Sequence, residues 1–324
     1  MPVLSARVAP TAPLDLIIDT DPGADDVVAL LLAMASPDVL RIRAITTVAG
    51  NVRLDKTSRN ARLAREWGGR EDIPVYAGAS KPLLRPPIYA ANIHGDEGLP
   101  GVVVHEPAQG LADGSAVQYL VDTLSAAQPH SITLAVLGPQ TNLALALIQA
   151  PAIVRGIKEV VVMGGAHLNA GNITPVAEFN LYADAEAAEV VLNSGVELTY
   201  LPLDVTHKVL TSDARFSQLA AIGNQASQLV VDILMEYIKA DMQRYGMTGG
   251  PVHDASVIAY LIKPELFKGR SVELQVDRRQ GATYGQTIVV EYTTPEQPGN
   301  VVWIEDADAQ GIFDLLSTRL ACLK

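Results

Sequence analysis

Residues 14–33, LDLIIDTDPGADDVVALLLA, decide the fold. LDLIID (14–19) is a short apolar run of the kind that forms a buried strand, and residues 24–35 carry a helical apolar pattern. Asp19, Asp21, Asp25 and Asp26 fall within eight residues, at the handover from strand to helix. Asp25 and Asp26 would occupy the first helical turn, where a carboxylate interacts favourably with the positive end of the helix. Helix capping accounts for one of these groups and not for four. Carboxylates brought together repel unless a cation or shared protons relieve them. A hard divalent cation with oxygen ligands is the simplest relief.

The same alternation continues outward. Strands are expected at 41–48, 131–138, 157–165 and 196–204, with helices over 54–67, 115–127, 141–149 and 184–194. This predicts an α/β fold with an open, mostly parallel sheet covered by helices on both faces, a Rossmann-like core. A long amphipathic helix follows at about 225–243 and another begins near His253. Segment 270–305 reads as short strands or a hairpin, a small β-containing part near the C-terminus, before a last helix at about 308–320. No composition break, repeat or low-complexity tract divides the chain, so a single domain over 1–324 is expected, with 1–13 as a loose leader. The stretch SKPLLRPPIYAANIHGDEGLPG (80–101) is rich in Pro and Gly, and irregular segments of this length are commonly lids or binding loops.

Composition bounds the function. A net charge of −12 disfavours nucleic acid or an anionic membrane as partner, because both reward Lys and Arg. Cys322 is the only cysteine, so neither an internal disulfide nor a cysteine zinc site is available; this fits a reducing, cytoplasmic setting. No apolar run approaches the about 18 residues of a membrane span.

The aspartate cluster fits poorly to three familiar sites. Asp19, Asp21 and Asp25 match EF-hand positions, but Pro22 and Gly23 intrude and Leu30 stands where a bidentate Glu is needed. A haloacid-dehalogenase-type phosphatase also begins strand-D-x-D, yet the Gly-Thr that commonly follows and the downstream Lys and acidic pair lack convincing counterparts. A dinucleotide site wants G-x-G-x-x-G, and here one Gly is surrounded by negative charge.

DTDPGADD (19–26) instead resembles the N-terminal signature of the inosine-uridine-preferring nucleoside hydrolases. TTVAGN (46–51), LGPQTNLALAL (137–147), VVMGGAHLNAGNITPVAEFNLYADAEAA (161–188) and HDA (253–255) follow in that family's order, so the resemblance spans roughly residues 14–320. It implies calcium-dependent hydrolysis of the N-glycosidic bond of ribonucleosides, without a covalent intermediate, in a homodimer or homotetramer. By resemblance Asp21, Asp26 and Asp254 are the metal carboxylates and Leu137 supplies a backbone carbonyl. Magnesium is the runner-up metal. Asp21 is the expected general base toward a metal-held water that attacks C1′ through an oxocarbenium-like state.

The resemblance also assigns Asp25, Asn51, Asn172, Glu178 and Asn180 to the ribose. His253 is expected at the leaving base, His94 in a mobile loop that closes over the nucleoside, and Asp241 and Tyr245 near the base. His105, His130, His167 and His207 match nothing and are expected to be surface or packing residues, and Trp67 and Trp303 to be core. Two other readings stay open: a related metal-dependent hydrolase acting on a phosphoester or another riboside, and a non-catalytic nucleoside or ribose-binding protein.

Overall fold

The computed structural model describes residues 12–290 and 299–323, apart from the side chains of residues 240, 241 and 243–245. Most of the expected leader, and the side chains of Asp241 and Tyr245, therefore lie outside the described residues.

Nine strands form one sheet: β1 (Leu14–Thr20), β2 (Leu40–Thr47), β3 (Val75–Ala77), β4 (Ile132–Val136), β5 (Ile157–Met163), β6 (Leu198–Leu201), β7 (Phe267–Val276), β8 (Thr287–Val290) and β9 (Val301–Ala307). Their spatial order is β3-β2-β1-β4-β5-β6-β9-β7-β8. β1 to β6 and β9 pair in parallel, whereas β7 runs antiparallel to both β9 and β8. The expected open parallel sheet and the C-terminal β segment are both present. Short β3 lies outside the expected strands, and β9 joins the main sheet beside β6 instead of staying in a separate hairpin.

Side chains alternate across β1. Leu16 and Ile18 enter one apolar cluster, and Ile17 enters another. The helix Ala24–Met34 is buried all round, as its sequence ADDVVALLLAM requires, and so is the helix His253–Ile262. These two helices pack against each other, which brings distant parts of the chain together. Leu30, Leu31 and Leu32 are fully buried, and each contributes about 1.5–3 kcal/mol by leaving water.

The strand order places the site. From β1 the chain runs outward through β2 and β3, then returns to the other side of β1 as β4. A crevice opens at such a reversal, outside the carboxyl ends of the strands, and ligands of open α/β sheets bind there. Among the described residues no helix is long and apolar enough to cross a membrane.

Candidate active site

Asp21 directly follows β1, and the first turn of Ala24–Met34 delivers Asp25 and Asp26. Asp254 comes from the first turn of His253–Ile262. Two helix N-termini thus direct their positive ends toward one group of acids. One carboxylate oxygen from each of Asp25, Asp26 and Asp254 lies within 4.8 Å of the others. All three residues are buried.

Asp26 is fixed from several sides. It accepts from the Gly23 N–H at 2.9 Å, from Asn51 Nδ2 at 3.0 Å and from the Thr20 hydroxyl. Asp21 stands beside the group of three and is held differently. Its Oδ2 accepts from the Asn51 N–H at 2.6 Å. A Cβ at Gly50 would lie 2.0 Å from that oxygen, and one at Gly138 would lie 2.3 Å from Oδ1, so both positions need glycine for the acid to fit.

Burial, followed by the neighbouring charge of Asp26, raises the Asp21 carboxyl well above its ordinary range. Burial raises Asp254 likewise, with the charges of Asp25, Asp26 and Asp21 adding to it. Such a cluster favours either protons or a cation, and an all-oxygen donor set suits a hard ion such as Ca²⁺ or Mg²⁺. The residues therefore fit a divalent cation.

One cavity brings together Asp25, Asn51, His94, Leu137, Asn172, Glu178, Asn180, His253 and Asp254. Leu137 directly follows β4, and its carbonyl accepts from Asn180 Nδ2 at 2.7 Å. The same nitrogen reaches the Met163 carbonyl at 3.2 Å, so Asn180 ties together the ends of β4 and β5. Glu178 caps the short helix Phe179–Ala183 and accepts from the N–H groups of Gly165, Asn180 and Leu181. Burial nevertheless pushes it up to about 7. Asn172 Oδ1 accepts from the Phe179 N–H at 2.8 Å, which folds its loop onto that helix.

His253 Nδ1 lies 2.7 Å from the Thr206 hydroxyl. Burial, then the neighbouring His207 and His94, lowers its pKa well below the ordinary value and keeps the ring neutral. His94 Nδ1 accepts from the Ala24 N–H at 3.1 Å, which leaves the ring hydrogen on Nε2. Burial lowers His94 to about 3. The 80–101 segment is seated here, with His94 over the turn that opens the acidic helix.

The structure adds residues that the sequence reading misses. His207 lines the cavity with its ring centroid 5.6 Å from that of His253, so it is not merely a surface or packing group. It follows β6 at the ligand-binding edge of the sheet, and that placement is the available signal. His105 and His130 are exposed, as expected. Asn92, Tyr237 and Met247 also line the cavity. Asn92 sits two residues before His94; Tyr237 and Met247 carry no sequence signature of such a role. Trp303 is core, as expected, at 1% exposure, whereas Trp67 is only partly buried against the core.

The sheet, its switch-point crevice and its buried acids define an open α/β protein with a divalent-cation type of site. The sequence profile of the inosine-uridine preferring nucleoside hydrolases matches residues 16–314, and the chain belongs to that family. It is 43% identical over 311 residues to the pyrimidine-specific ribonucleoside hydrolase RihA of Salmonella typhimurium, covering 95% of this chain and 98% of the relative. It is 41% identical to an uncharacterized protein of Schizosaccharomyces pombe, covering 96% of this chain and 100% of that one. Among solved structures, the purine-preferring ribonucleoside hydrolase from Gardnerella vaginalis superposes with a TM-score of 0.87 at 29% identity, covering 95% of this chain and 98% of that one. The plant nucleoside hydrolase PpNRh1 gives a TM-score of 0.87 at 29% identity, covering 95% and 99%.

Proposed function

We propose that the protein hydrolyses the N-glycosidic bond of ribonucleosides, adding water to give ribose and the free base. The observation that carries this reading is the gathering of buried Asp25, Asp26 and Asp254 beside a cavity rich in groups that can hold a sugar. Asp21, Asp26, Asp254 and the Leu137 carbonyl are the proposed holders of a calcium ion, with magnesium as second candidate. Bound there, the cation would supply Lewis-acid chemistry for water and positions for a sugar diol.

Asp21 takes the proton of the attacking water, a role supported by its fixed orientation against Asn51, Gly50 and Gly138. Asp25, Asn51, Asn172, Glu178 and Asn180 hold the ribose hydroxyls. The buried negative wall stabilises positive charge developing on the sugar ring. His253 faces the leaving base, and with the Thr206 hydroxyl donating to Nδ1 its Nε2–H can hydrogen-bond to that base. His94 closes the cavity. Asp241 and Tyr245 are proposed on the base side.

Uridine and cytidine are the first substrates to try, because the relative at 43% identity is named pyrimidine-specific. The proposed setting is the cytoplasm, supported by the single free cysteine, Cys322, and the proposed assembly is a homodimer or homotetramer of one-domain chains. Ribose release across a nucleoside panel, with phosphate release from phosphoesters as control, tests the assignment. Phosphate without ribose would overturn it.

A further inference from the structure

Arg85 lies in the segment that leads to His94 and has no role in the chemistry described above. Its guanidinium carbon sits 3.8 Å from the ring centroid of Tyr284 and 5.2 Å from that of Tyr182. The two rings meet edge to face at 5.5 Å. Tyr284 is buried and donates its hydroxyl to Glu186 Oε2 at 2.5 Å, which fixes the ring and enriches its face for a cation. Two residues earlier, the Leu83 N–H donates to the buried Asp184 carboxylate at 2.9 Å. Tyr182 belongs to the helix Phe179–Ala183, whose N-terminal end carries Glu178 and Asn180.

Pro86 and Pro87 follow Arg85 directly. Their fixed φ stiffens the first part of the link that follows. Ile88 and Ala90 then pack with Phe179, Ala183 and Ile173. The Ala90 N–H donates to the Asn51 carbonyl at 2.9 Å, and the Ala90 carbonyl accepts from the His94 N–H at 3.0 Å. A displacement at Arg85 is thus carried along this link to the backbone that seats His94.

We propose that Arg85, gripped by Tyr182 and Tyr284, is a positioning residue that sets the loop over the cavity and so governs capture of the nucleoside. The kinetic consequence rests on the ribonucleoside hydrolase reading; the structural one does not. The clamp also gives the connection from β7 to β8, which supplies Tyr284, a part in the site.

The test compares Arg85→Met, which keeps the aliphatic stem, with Arg85→Lys, which keeps the charge. Arg85→Met is expected to raise KM for uridine about tenfold with kcat within about twofold of the parent. Amide exchange over residues 88–94 is expected to quicken about tenfold, while exchange in the helix His253–Ile262 stays unchanged. Arg85→Lys is expected to recover part of both effects. Parent-like exchange over 88–94 in Arg85→Met would overturn the proposal, as would a fall in kcat at unchanged KM. If the parent protein hydrolyses no ribonucleoside, the functional reading fails, and exchange alone decides the clamp: faster in Arg85→Met supports it, unchanged refutes it.

Discussion

Glu178 gives the protein a stability that depends on pH. It is 2% exposed, and three backbone N–H groups point at its oxygens, at 3.1, 2.8 and 3.1 Å. Those bonds favour the ionised form, but burial outweighs them and moves the acid from 4.5 up to about 7. The folded protein therefore holds this proton more tightly than the unfolded chain. The contribution to folding is fully present below about pH 4.5 and is lost as pH rises through about 7. At about 1.36 kcal/mol per pKa unit, the ceiling on that loss is about 3 kcal/mol by pH 8.

Glu178→Gln removes the titration and adds a cost of about 1–3 kcal/mol at every pH, because an amide nitrogen then faces backbone donors. The parent's advantage over the variant should consequently fall from pH 5 to pH 8, by up to about 2–3 kcal/mol, enough to bring it to zero or reverse it. Urea unfolding of chelator-treated protein at pH 5, 6, 7 and 8 measures it. A parent advantage that stays constant, or grows as pH rises, would refute the reasoning.

Other perturbations address the remaining parts of the site. Asp21→Ala should lower kcat by about 10²–10⁴-fold, the range for losing a general base; near-parent kcat in a ribose-release assay would remove Asp21 from that role. Gly50→Ala would set a Cβ 2.0 Å from Asp21 Oδ2. Displacing that acid should cost about 10²-fold in kcat/KM with folding retained by circular dichroism, and an unimpaired variant would contradict the proposed position of Asp21. His253→Ala should impair inosine more than a nitrophenyl riboside, whose leaving group needs no proton; equal losses would take His253 away from the base. Thr206→Val should show a weaker form of the same discrimination, and its absence would show that the Thr206 contact does not orient the ring.

Much of the architecture is legible in the sequence alone. Buried parallel strands advertise themselves as short apolar runs, so β1, β2, β4 and β5 stand close to where the pattern puts them. Three-residue β3 and the helix Asp213–Ala220 escape it, since the first is too short for a pattern and the second is mostly outside the core. The pairing of β9 with β6 is hidden because the two are distant in sequence, and local patterning does not encode such a contact.

The site divides along similar lines. Asp25, Asn51, the pair Glu178 and Asn180, and Asp254 reach one cavity from four segments, each flagged by a motif. The acids whose oxygens lie within 4.8 Å of one another are Asp25, Asp26 and Asp254, whereas Asp21 accepts from the Asn51 N–H. Orientation of that kind depends on an N–H supplied by a neighbouring loop and leaves no mark in a one-dimensional pattern. His207 illustrates the same limit: its residue type is visible, but its company is not.

Hydrolysis should require a hard cation held by acids that the fold gathers from opposite ends of the chain. Ribose release from uridine by protein stripped with chelator, followed by titration with Ca²⁺, tests this most directly, alongside calorimetry of Ca²⁺ binding to the parent and to Asp254→Asn. The expected result is negligible release until Ca²⁺ is restored, with saturable binding to the parent that Asp254→Asn weakens severely. Full activity in the stripped protein, or undiminished Ca²⁺ binding by Asp254→Asn, would contradict it.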